Sequence, residues 1–313
     1  MARYLGVDGG GTKTAFVLVD ETGRVLAEAT GPTSYGFAEG LDPVRRVLAA
    51  GVAEVTAAAG IGPDGIDHAF FALPGYGEAS AEVEALDRLP AEVLGHDRYS
   101  VGNDMVAGWA GSLDGADGVN VVAGTGSIAY GEWRGRTARA GGWSELFGDE
   151  GSGYWTAIRG LNAFSRMSDG RLPRGPLHER MREALGTATD LDAIGLVLGT
   201  WAGDRTRIAA LSRTVVAAAE LGDEAALRIV ADAGAELAGL VTAVRTALAV
   251  PDDVLLPVSY SGGMFTAAPV LQAFTSALGE GHRLLEPVHG PALGAALVAA
   301  KRAAALSSRP AAL

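Results

Sequence analysis

The chain has 313 residues, of which 48% are hydrophobic and 20% charged, and its formal net charge is −12. This length favours two domains, and an acidic surface argues against nucleic acids and anionic membranes as partners. The absence of cysteine excludes disulfides, thiolate metal sites, iron–sulfur clusters and cysteine nucleophiles.

The first half of the sequence predicts three short strands followed by alternating helices and strands. The predicted strands cover 3–8, 14–20, 24–30, 66–73 and 97–102, and the predicted helices cover 42–59 and 104–113, with a short helix after residue 77. Alternation of this kind indicates an α/β fold with a largely parallel sheet covered by helices.

The same order begins again at residue 119. Strands are predicted at 119–123, 128–133, 137–141, 254–260 and 283–287, and helices at 150–165, 178–185, 190–201, 206–221, 224–249 and 265–278. A unit of strand, glycine turn and strand therefore occurs twice, which predicts two similar domains, 1–113 and 114–290. A terminal helix over 291–306 could pack back on the first domain.

The first glycine turn follows Asp8 and joins two predicted strands. Without side chains, Gly10 and Gly11 let the backbone approach a phosphate group, while Thr12 adds a hydroxyl donor and Lys13 a positive charge. Asp8 could hold Mg²⁺ directly or through water, because hard cations take carboxylate oxygen. The alternative for this segment is a plain β-hairpin with a glycine turn.

A second glycine turn, Gly124-Thr125-Gly126-Ser127, also joins two strands and could hold further phosphate oxygens through its amides and hydroxyls. One Gly-x-Gly pattern is weak evidence for a phosphate-binding turn. Two such turns about 115 residues apart, each opening a similar run of elements, are a stronger indication.

A third glycine turn, with Gly262, Gly263 and Met264, leads from a strand into a helix. Its bare backbone suits the adenine and ribose of a nucleotide. A simple connection between a strand and a helix explains the same residues nearly as well.

Asp104 follows a predicted strand and begins a predicted helix, where ligand sites gather in open α/β sheets. A carboxylate there can accept the proton of a sugar hydroxyl as its oxygen attacks a γ-phosphorus atom. The alternative is a helix-capping aspartate without another role, although Asn103 could take the cap instead.

The segment 141–155 combines glycine, tryptophan and acid densely. Gly141 and Gly142 leave a backbone surface before Trp143, against which a polar ring could lie, and Asp149 could fix hydroxyl groups or water. The alternative is a surface loop before a helix, with Asp149 as the helix cap and the tryptophans, Trp143 and Trp155, in the core.

These motifs occur along nearly the whole chain in the order Asp8–Lys13, Asn103-Asp104, Gly124–Ser127, Gly141–Trp143, Gly148–Ser152 and Ser261–Gly263. Together they resemble the N-acetylglucosamine kinase family, which lies within the BadF/BadG/BcrA/BcrD-type ATPases and the sugar kinase, Hsp70 and actin superfamily. The run Gly148-Asp149-Glu150-Gly151-Ser152 is the most specific part of the resemblance.

The resemblance implies two ribonuclease-H-like, actin-like ATPase domains that flank a cleft and close over MgATP and a hexosamine, often in a homodimer. It assigns Asp104 as the base. The expected ATP-binding residues are Gly10, Gly11, Thr12, Lys13, Gly124, Thr125, Gly126, Gly262, Gly263 and Met264, with Asp8 at the metal. The expected substrate-binding residues are Tyr35, Asp104, Ser127, Gly141, Gly142, Trp143 and Asp149.

Two positions depart from the family pattern. Ile128 and Tyr35 stand where the family kinases usually offer asparagines that would hydrogen-bond the sugar, and isoleucine cannot form that bond. The sequence therefore supports phosphoryl transfer to an amino sugar better than it supports an N-acetyl group on that sugar. The expected acceptor is the 6-hydroxyl. N-acetylglucosamine, glucosamine, N-acetylmuramic acid and other amino sugars stay open as substrates.

Two other function classes share these loops. An activating ATPase of radical enzymes would need cysteines for its iron–sulfur cluster, and the chain has none. A non-catalytic sugar sensor is disfavoured by the retention of Asp104 and by the lack of a basic DNA-reading domain before Asp8. That carboxylate also comes too early for a secretory leader, so we expect a cytoplasmic protein.

Overall fold

The computed structural model describes residues 1–11, 13–34, 40–77 and 80–307. These residues form two compact units, the first running to Ala116 and resuming at Glu286, and the second covering Asp117–Leu285. Each unit contains a five-stranded sheet with helices, which confirms the predicted α/β class. In the described ranges, no helix is long and apolar enough to cross a membrane.

Strands and helices are numbered in chain order. The strands are β1 (Arg3–Gly9), β2 (Lys13–Asp20), β3 (Val25–Pro32), β4 (His68–Leu73), β5 (Tyr99–Asn103), β6 (Gly118–Ala123), β7 (Ser127–Trp133), β8 (Arg136–Gly141), β9 (Leu256–Ser261) and β10 (His282–Leu284). The helices are α1 (Leu41–Ala58), α2 (Ser80–Leu94), α3 (Asp104–Leu113), α4 (Gly153–Ser168), α5 (Pro176–Leu185), α6 (Arg205–Ala210), α7 (Ser212–Glu220), α8 (Glu224–Leu248), α9 (Ala268–Ala277) and α10 (Pro291–Ser307).

The sheet of the first unit has the strand order β3-β2-β1-β4-β5, in which β1 is antiparallel to β2 and parallel to β4. Side chains alternate between the two faces of a strand. On β2, Phe16 therefore belongs to the core with Leu48 of α1, while Val17 packs against Ala296 of α10. The central strand β4 is buried along its whole length, as expected for a strand covered on both faces.

The sheet of the second unit has the order β10-β9-β6-β7-β8 and repeats the same plan. Strand β6 is antiparallel to β7 and parallel to β9. The long helix α8 packs on β6, β7 and β8, and its buried side chains share one core with those of α4, α5 and α7.

Several helix predictions differ from the structure. The helix expected to be short after residue 77 is the 15-residue α2, because Leu86, Leu89 and Leu94 keep a buried face through Pro90. The helix expected over 190–201 is a 3₁₀ turn at 190–192 followed by a π-helix at 195–200. The helix expected over 206–221 is interrupted at Leu211 and forms α6 and α7.

The terminal helix α10 packs on β1 and α3 within the first unit. The contact is close because glycines meet backbone on both sides. A Cβ at Gly294 would clash with Ala107 and lie 2.7 Å from the Cα of Gly111, and a Cβ at Gly111 would lie 2.6 Å from the carbonyl oxygen of Gly290. Bare backbone at these positions therefore sets the distance between α10 and α3.

We expect Gly294→Ala to lower the free energy of unfolding by about 1–3 kcal/mol, because the new methyl group overpacks this contact. The measurement is urea unfolding followed by circular dichroism. The matched control is Gly239→Ala on α8, where a Cβ meets no atom within 4 Å. That control should be neutral or stabilising by up to about 1 kcal/mol. Equal losses in both variants would contradict the close contact.

Candidate functional site

In the first unit, the turn between β1 and β2 is closed by one backbone hydrogen bond and one side-chain hydrogen bond. The amide of Gly10 donates to the carbonyl of Lys13 at 2.9 Å, and the hydroxyl of Thr33 donates to the carbonyl of Gly10 at 2.8 Å. A Cβ at Gly9 would lie 2.8 Å from Pro74, whereas a Cβ at Gly11 would meet no atom within 4 Å. Gly11 thus leaves open space at the tip of the turn. The predicted site residues Thr12 and Tyr35 lie outside the described residues.

Asp8 lies at the carboxyl end of β1 beside this turn. Burial raises the pKa of its carboxyl from the ordinary 3.8 to about 6, and the positive charge of Lys13 opposes that rise. A desolvated carboxylate gains from a nearby cation. Within the described ranges, no group of three or more histidine, aspartate or glutamate side chains forms a metal site. A Mg²⁺ ion at Asp8 would take its other ligands from phosphate and water, which is usual for this ion.

Asp104 is the first residue of α3 and follows β5 directly. The register aligns Asp8 with Ala72 of β4 and Ala72 with Gly102 of β5. Two strand spacings of about 4.8 Å each therefore separate Asp8 from Gly102, at the edge where both parallel strands end. Asp8 and Asp104 are placed on one edge of one sheet.

The cap of α3 is Asn103, so the alternative in which Asp104 caps the helix is wrong. The side chain of Asn103 accepts a hydrogen bond from the amide of Met105 at 3.1 Å and donates one to the carbonyl of Tyr76 at 3.1 Å. Asn103 suits the cap because its amide group can accept and donate at once. Asp104 therefore does not serve as the cap of α3.

In the second unit, the turn after β6 is tied to the start of α4. The carbonyl of Gly124 accepts from the amide of Gly153 at 2.8 Å, and that of Thr125 accepts from the amide of Tyr154 at 3.2 Å. Ser152 caps α4 by accepting from the amide of Trp155. The turn Gly124–Gly126 therefore lies against a helix N-terminus, whose dipole favours an anion, while the amides of Gly153, Tyr154 and Trp155 are engaged within the protein.

The turn after β9 lies beside the turn after β6, because these strands pair in parallel with Val122 opposite Ser261. Gly262 has a φ of 98°, and a Cβ there would lie 2.6 Å from the carbonyl carbon of Ala123. Only glycine fits both the backbone conformation and this contact. Two of the three predicted glycine turns thus meet at the carboxyl ends of neighbouring strands.

A cavity of about 550 Å³ opens between these two turns. Four of the predicted ATP-binding residues line it, namely Gly124, Thr125, Gly263 and Met264. The opposite wall comes from α6 and α7, including Thr206, Ala210, Arg213, Ala217 and Glu220. Sequence analysis missed this wall. The three-to-four-residue spacing was visible, but small and charged side chains at that spacing also describe a solvent-exposed helix face.

The segment 141–152 begins with two glycines in the left-handed region, Gly141 at φ 75° and Gly142 at φ 70°. The amide of Gly142 donates to the carbonyl of Ser127 at 2.9 Å, and a Cβ at Gly142 would lie 2.8 Å from the side chain of Ile128. The side chain of Trp143 is 65% exposed. Two points of the alternative are therefore wrong, Trp143 in the core and Asp149 as the helix cap, since Ser152 caps α4, whereas Trp155 is partly buried against the core.

Asp149 is buried, with a φ of 55°. Its Oδ1 accepts from the amide of Ser127 at 3.4 Å, and its Oδ2 accepts from the guanidinium of Arg205. Arg205 also pairs with Glu145, with 3.3 Å between Nε and the carboxylate. Burial raises the pKa of Asp149, and the charge of Arg205 opposes that rise. The hydroxyl of Ser127 donates to the carbonyl of Glu150 at 2.7 Å.

The structure therefore gathers the predicted residues into two groups. The first unit holds Asp8, Gly10, Gly11, Lys13 and Asp104, and the second holds Gly124–Ser127, Gly141–Trp143, Asp149 and Gly262–Met264. Arg205 is the functional candidate that sequence analysis missed near the second group. The roles of these residues toward ATP, metal and sugar stay predictions.

Comparison with known proteins supports the resemblance. The BadF/BadG/BcrA/BcrD ATPase family matches residues 5–299. An N-acetyl-D-glucosamine kinase of Dictyostelium discoideum is 30% identical, with 95% of this chain and 97% of that protein covered. An N-acetylmuramic acid/N-acetylglucosamine kinase of Clostridium acetobutylicum is 31% identical, with 76% and 77% covered.

A solved structure shares the fold. It is described as a candidate N-acetylglucosamine kinase of Chromobacterium violaceum, and it is 27% identical with a TM-score of 0.74, covering 96% of this chain and 99% of that chain. The resemblance drawn from the glycine-rich motifs is confirmed.

The raised pKa of Asp8 makes the folding stability of the chain depend on pH. The folded chain keeps the Asp8 proton up to about pH 6, whereas the ordinary carboxyl loses its proton near 3.8. The folded state thus binds more protons in that window, so stability falls as pH rises from about 4 to 6. In wild type, the free energy of unfolding falls by at most about 3 kcal/mol across this window. We expect Asp8→Asn to remove the fall, as measured by urea unfolding at stepped pH.

The matched control is Asp20→Asn, because the pH dependence that Asp20 gives to folding stability has the opposite sign. A hydrogen bond from the Thr22 side chain leads the causes that lower the pKa of Asp20. Asp20 therefore contributes stability above its ordinary pKa, and that contribution is lost as pH falls. Identical pH profiles for the two variants would contradict the burial effect at Asp8.

Proposed function

The chain belongs to the BadF/BadG/BcrA/BcrD ATPase family, and from that premise we propose that it is an ATP-dependent amino-sugar kinase. It transfers the γ-phosphoryl group of MgATP to a hydroxyl, the 6-hydroxyl, of N-acetylglucosamine or glucosamine. The observation that carries the proposal is the cavity of about 550 Å³ in which two predicted nucleotide turns meet. Ligand pockets commonly have volumes of about 300–1,000 Å³.

The second unit would bind the nucleotide. Adenine and ribose would lie along the wall of α6 and α7 against Gly263 and Met264. The phosphates would reach the turn Gly124–Gly126, where bare backbone and the start of α4 favour negative charge. ATP would supply the phosphoryl group, and the residues that line the cavity would hold its phosphates.

The first unit would supply the acid-base group. Asp104 accepts the proton of the sugar hydroxyl as its oxygen attacks the γ-phosphorus, so one P–O bond forms while the bond to the β-phosphate oxygen breaks. Because Asn103 satisfies the cap of α3, Asp104 is not occupied by that task. Asp8 and Lys13 would stand beside the transferred group. Mg²⁺ bound near Asp8 would spread the charge that develops there.

The sugar would lie against Gly141, Gly142 and the exposed Trp143, with Asp149 nearby. Ile128 packs against Gly142, and it cannot hydrogen-bond the sugar. This observation favours a second candidate, in which the chain phosphorylates another amino sugar such as N-acetylmuramic acid. The Clostridium acetobutylicum relative is named for both sugars. A homodimer and a cytoplasmic location belong to the same proposal, and size-exclusion chromatography with light scattering tests the first.

The first test is ADP release over glucosamine, N-acetylglucosamine, N-acetylmannosamine, N-acetylmuramic acid and glucose. With the best sugar, Asp104→Asn should lower kcat by about 10²–10⁴, because the proton acceptor is lost. ATP binding, measured by calorimetry, should stay within about twofold of wild type. The matched control is Asp114→Asn at the other end of α3, which should keep normal turnover because asparagine also suits its left-handed backbone. Full turnover in Asp104→Asn would remove Asp104 from the mechanism.

The second test separates ligand contact from folding at the phosphate turn. A Cβ at Gly124 meets no protein atom within 4 Å, so Gly124→Ala should keep the unfolding midpoint. The methyl group would occupy space that a phosphate needs, and we expect the KM for ATP to rise about tenfold or more, a loss of about 1.4 kcal/mol or more. Gly239→Ala serves again as control and should leave the KM unchanged. An unchanged KM in Gly124→Ala would place the phosphates elsewhere.

A further inference from the structure

Arg205 connects two parts of the second unit that are distant in sequence. It is the first residue of the short helix α6, which Asp204 caps. Its guanidinium reaches back to the segment 141–152, where Nη2 donates a hydrogen bond to Asp149 and Nε lies 3.3 Å from the carboxylate of Glu145 in an ion pair without a hydrogen bond. A single planar group with several fixed donors can hold two carboxylates at once, which a lysine cannot do in the same geometry.

The pair between Arg205 and Asp149 lies directly against the phosphate turn. A Cβ at Gly126 would lie 2.5 Å from the Nη2 of Arg205 and 2.7 Å from the Oδ2 of Asp149. Asp149 also accepts from the amide of Ser127, the residue after that turn. The backbone of the turn therefore rests on this ion pair.

Asp149 needs a partner to keep its position. Its side chain is buried, and its backbone has a φ of 55°, which is costly for a residue other than glycine. A buried carboxylate without a countercharge is strongly unfavourable. Arg205 supplies that charge and so holds this part of the segment 141–152 in place.

The same helix forms the wall of the nucleotide cavity. Thr206, Ala209 and Ala210, which follow Arg205, line the cavity together with Gly124 and Thr125. A nucleotide in the cavity thus contacts α6 directly. Any adjustment of α6 around the nucleotide changes the position of the guanidinium relative to Glu145 and Asp149.

We propose that Arg205 is a positioning residue that couples the segment 141–152 to the nucleotide cavity, so that nucleotide and amino sugar each bind more tightly in the presence of the other. The proposal rests on the proposed function, since it takes the cavity as the nucleotide site and this segment as part of the sugar site. Reciprocal coupling follows because each ligand favours the same arrangement of α6 and the segment.

The experiment measures the Kd of the amino sugar by calorimetry, with and without a non-hydrolysable ATP analogue. In wild type we expect the analogue to tighten sugar binding by about 5–150-fold, the usual range for coupled sites. In Arg205→Gln the ratio should fall to within about twofold of unity. Arg205→Lys should give an intermediate ratio, because one ammonium group cannot hold both carboxylates. Arg207→Gln, the same change on the exposed side of α6, should keep the wild-type ratio.

A second variant protects the test against misfolding. Arg205→Gln leaves Asp149 buried without its partner, which could prevent folding. Glu145→Gln removes one of the two ion pairs while the pair with Asp149 stays, and it should lower the coupling ratio in a folded protein. If Arg205 only stabilised the fold, its loss would weaken the binding of both ligands, and the coupling ratio would keep its wild-type value.

Two results would overturn the proposal. One is a wild-type coupling ratio of one, and the other is a wild-type ratio in both Arg205→Gln and Glu145→Gln. A wild-type chain that binds neither the analogue nor any amino sugar would instead overturn the proposed function, and this coupling with it. The separate Kd values distinguish these cases.

Discussion

The parallel pairing of β6 and β9 is the constraint on which the cavity of the second unit depends. Because Val122 lies opposite Ser261, both strands end at the same level, and the turns that follow them must share one edge. That edge has no room for a side chain at Gly262, which meets the end of β6. The cavity is therefore a consequence of strand register and of one glycine, and the helices α6 and α7 only close its far side.

In the first unit, parallel strands that end at one edge of the sheet bring together two acids instead of two glycine turns. Strands β1 and β5 run parallel on either side of β4, so their carboxyl ends bring Asp8 and Asp104 to one edge. Ligand sites gather at such edges because the turns there are free of sheet hydrogen bonds. Desolvation raises the pKa of Asp8, and Asp104 begins a helix whose cap belongs to its neighbour Asn103.

Local patterns predicted the strands, the glycine turns and the family, because each depends on a few adjacent residues. The interruption at Leu211 and the π-helix at 195–200 were not predicted, because helical spacing looks the same on both sides of a short irregularity. Arg205 was missed for a different reason. Its partner Asp149 is 56 residues away, and an arginine at the start of a short helix carries no local sign of a distant buried carboxylate. Long-range ion pairs are fixed by packing, which the sequence pattern does not specify.

The acidic composition of the chain opposes the approach of a phosphate group. A chain with a net charge of −12 repels polyanions at long range, although charges beyond about 8–10 Å are largely screened at physiological salt. Binding therefore depends on the groups within the first few ångströms. At the turn Gly124–Gly126 these groups are the N-terminus of α4, whose first turn has no acidic residue, and Asp149, which is paired with Arg205. Arg205 neutralises one of the two acids that it contacts, Asp149 and Glu145, and so reduces the negative charge that a phosphate at this turn would meet.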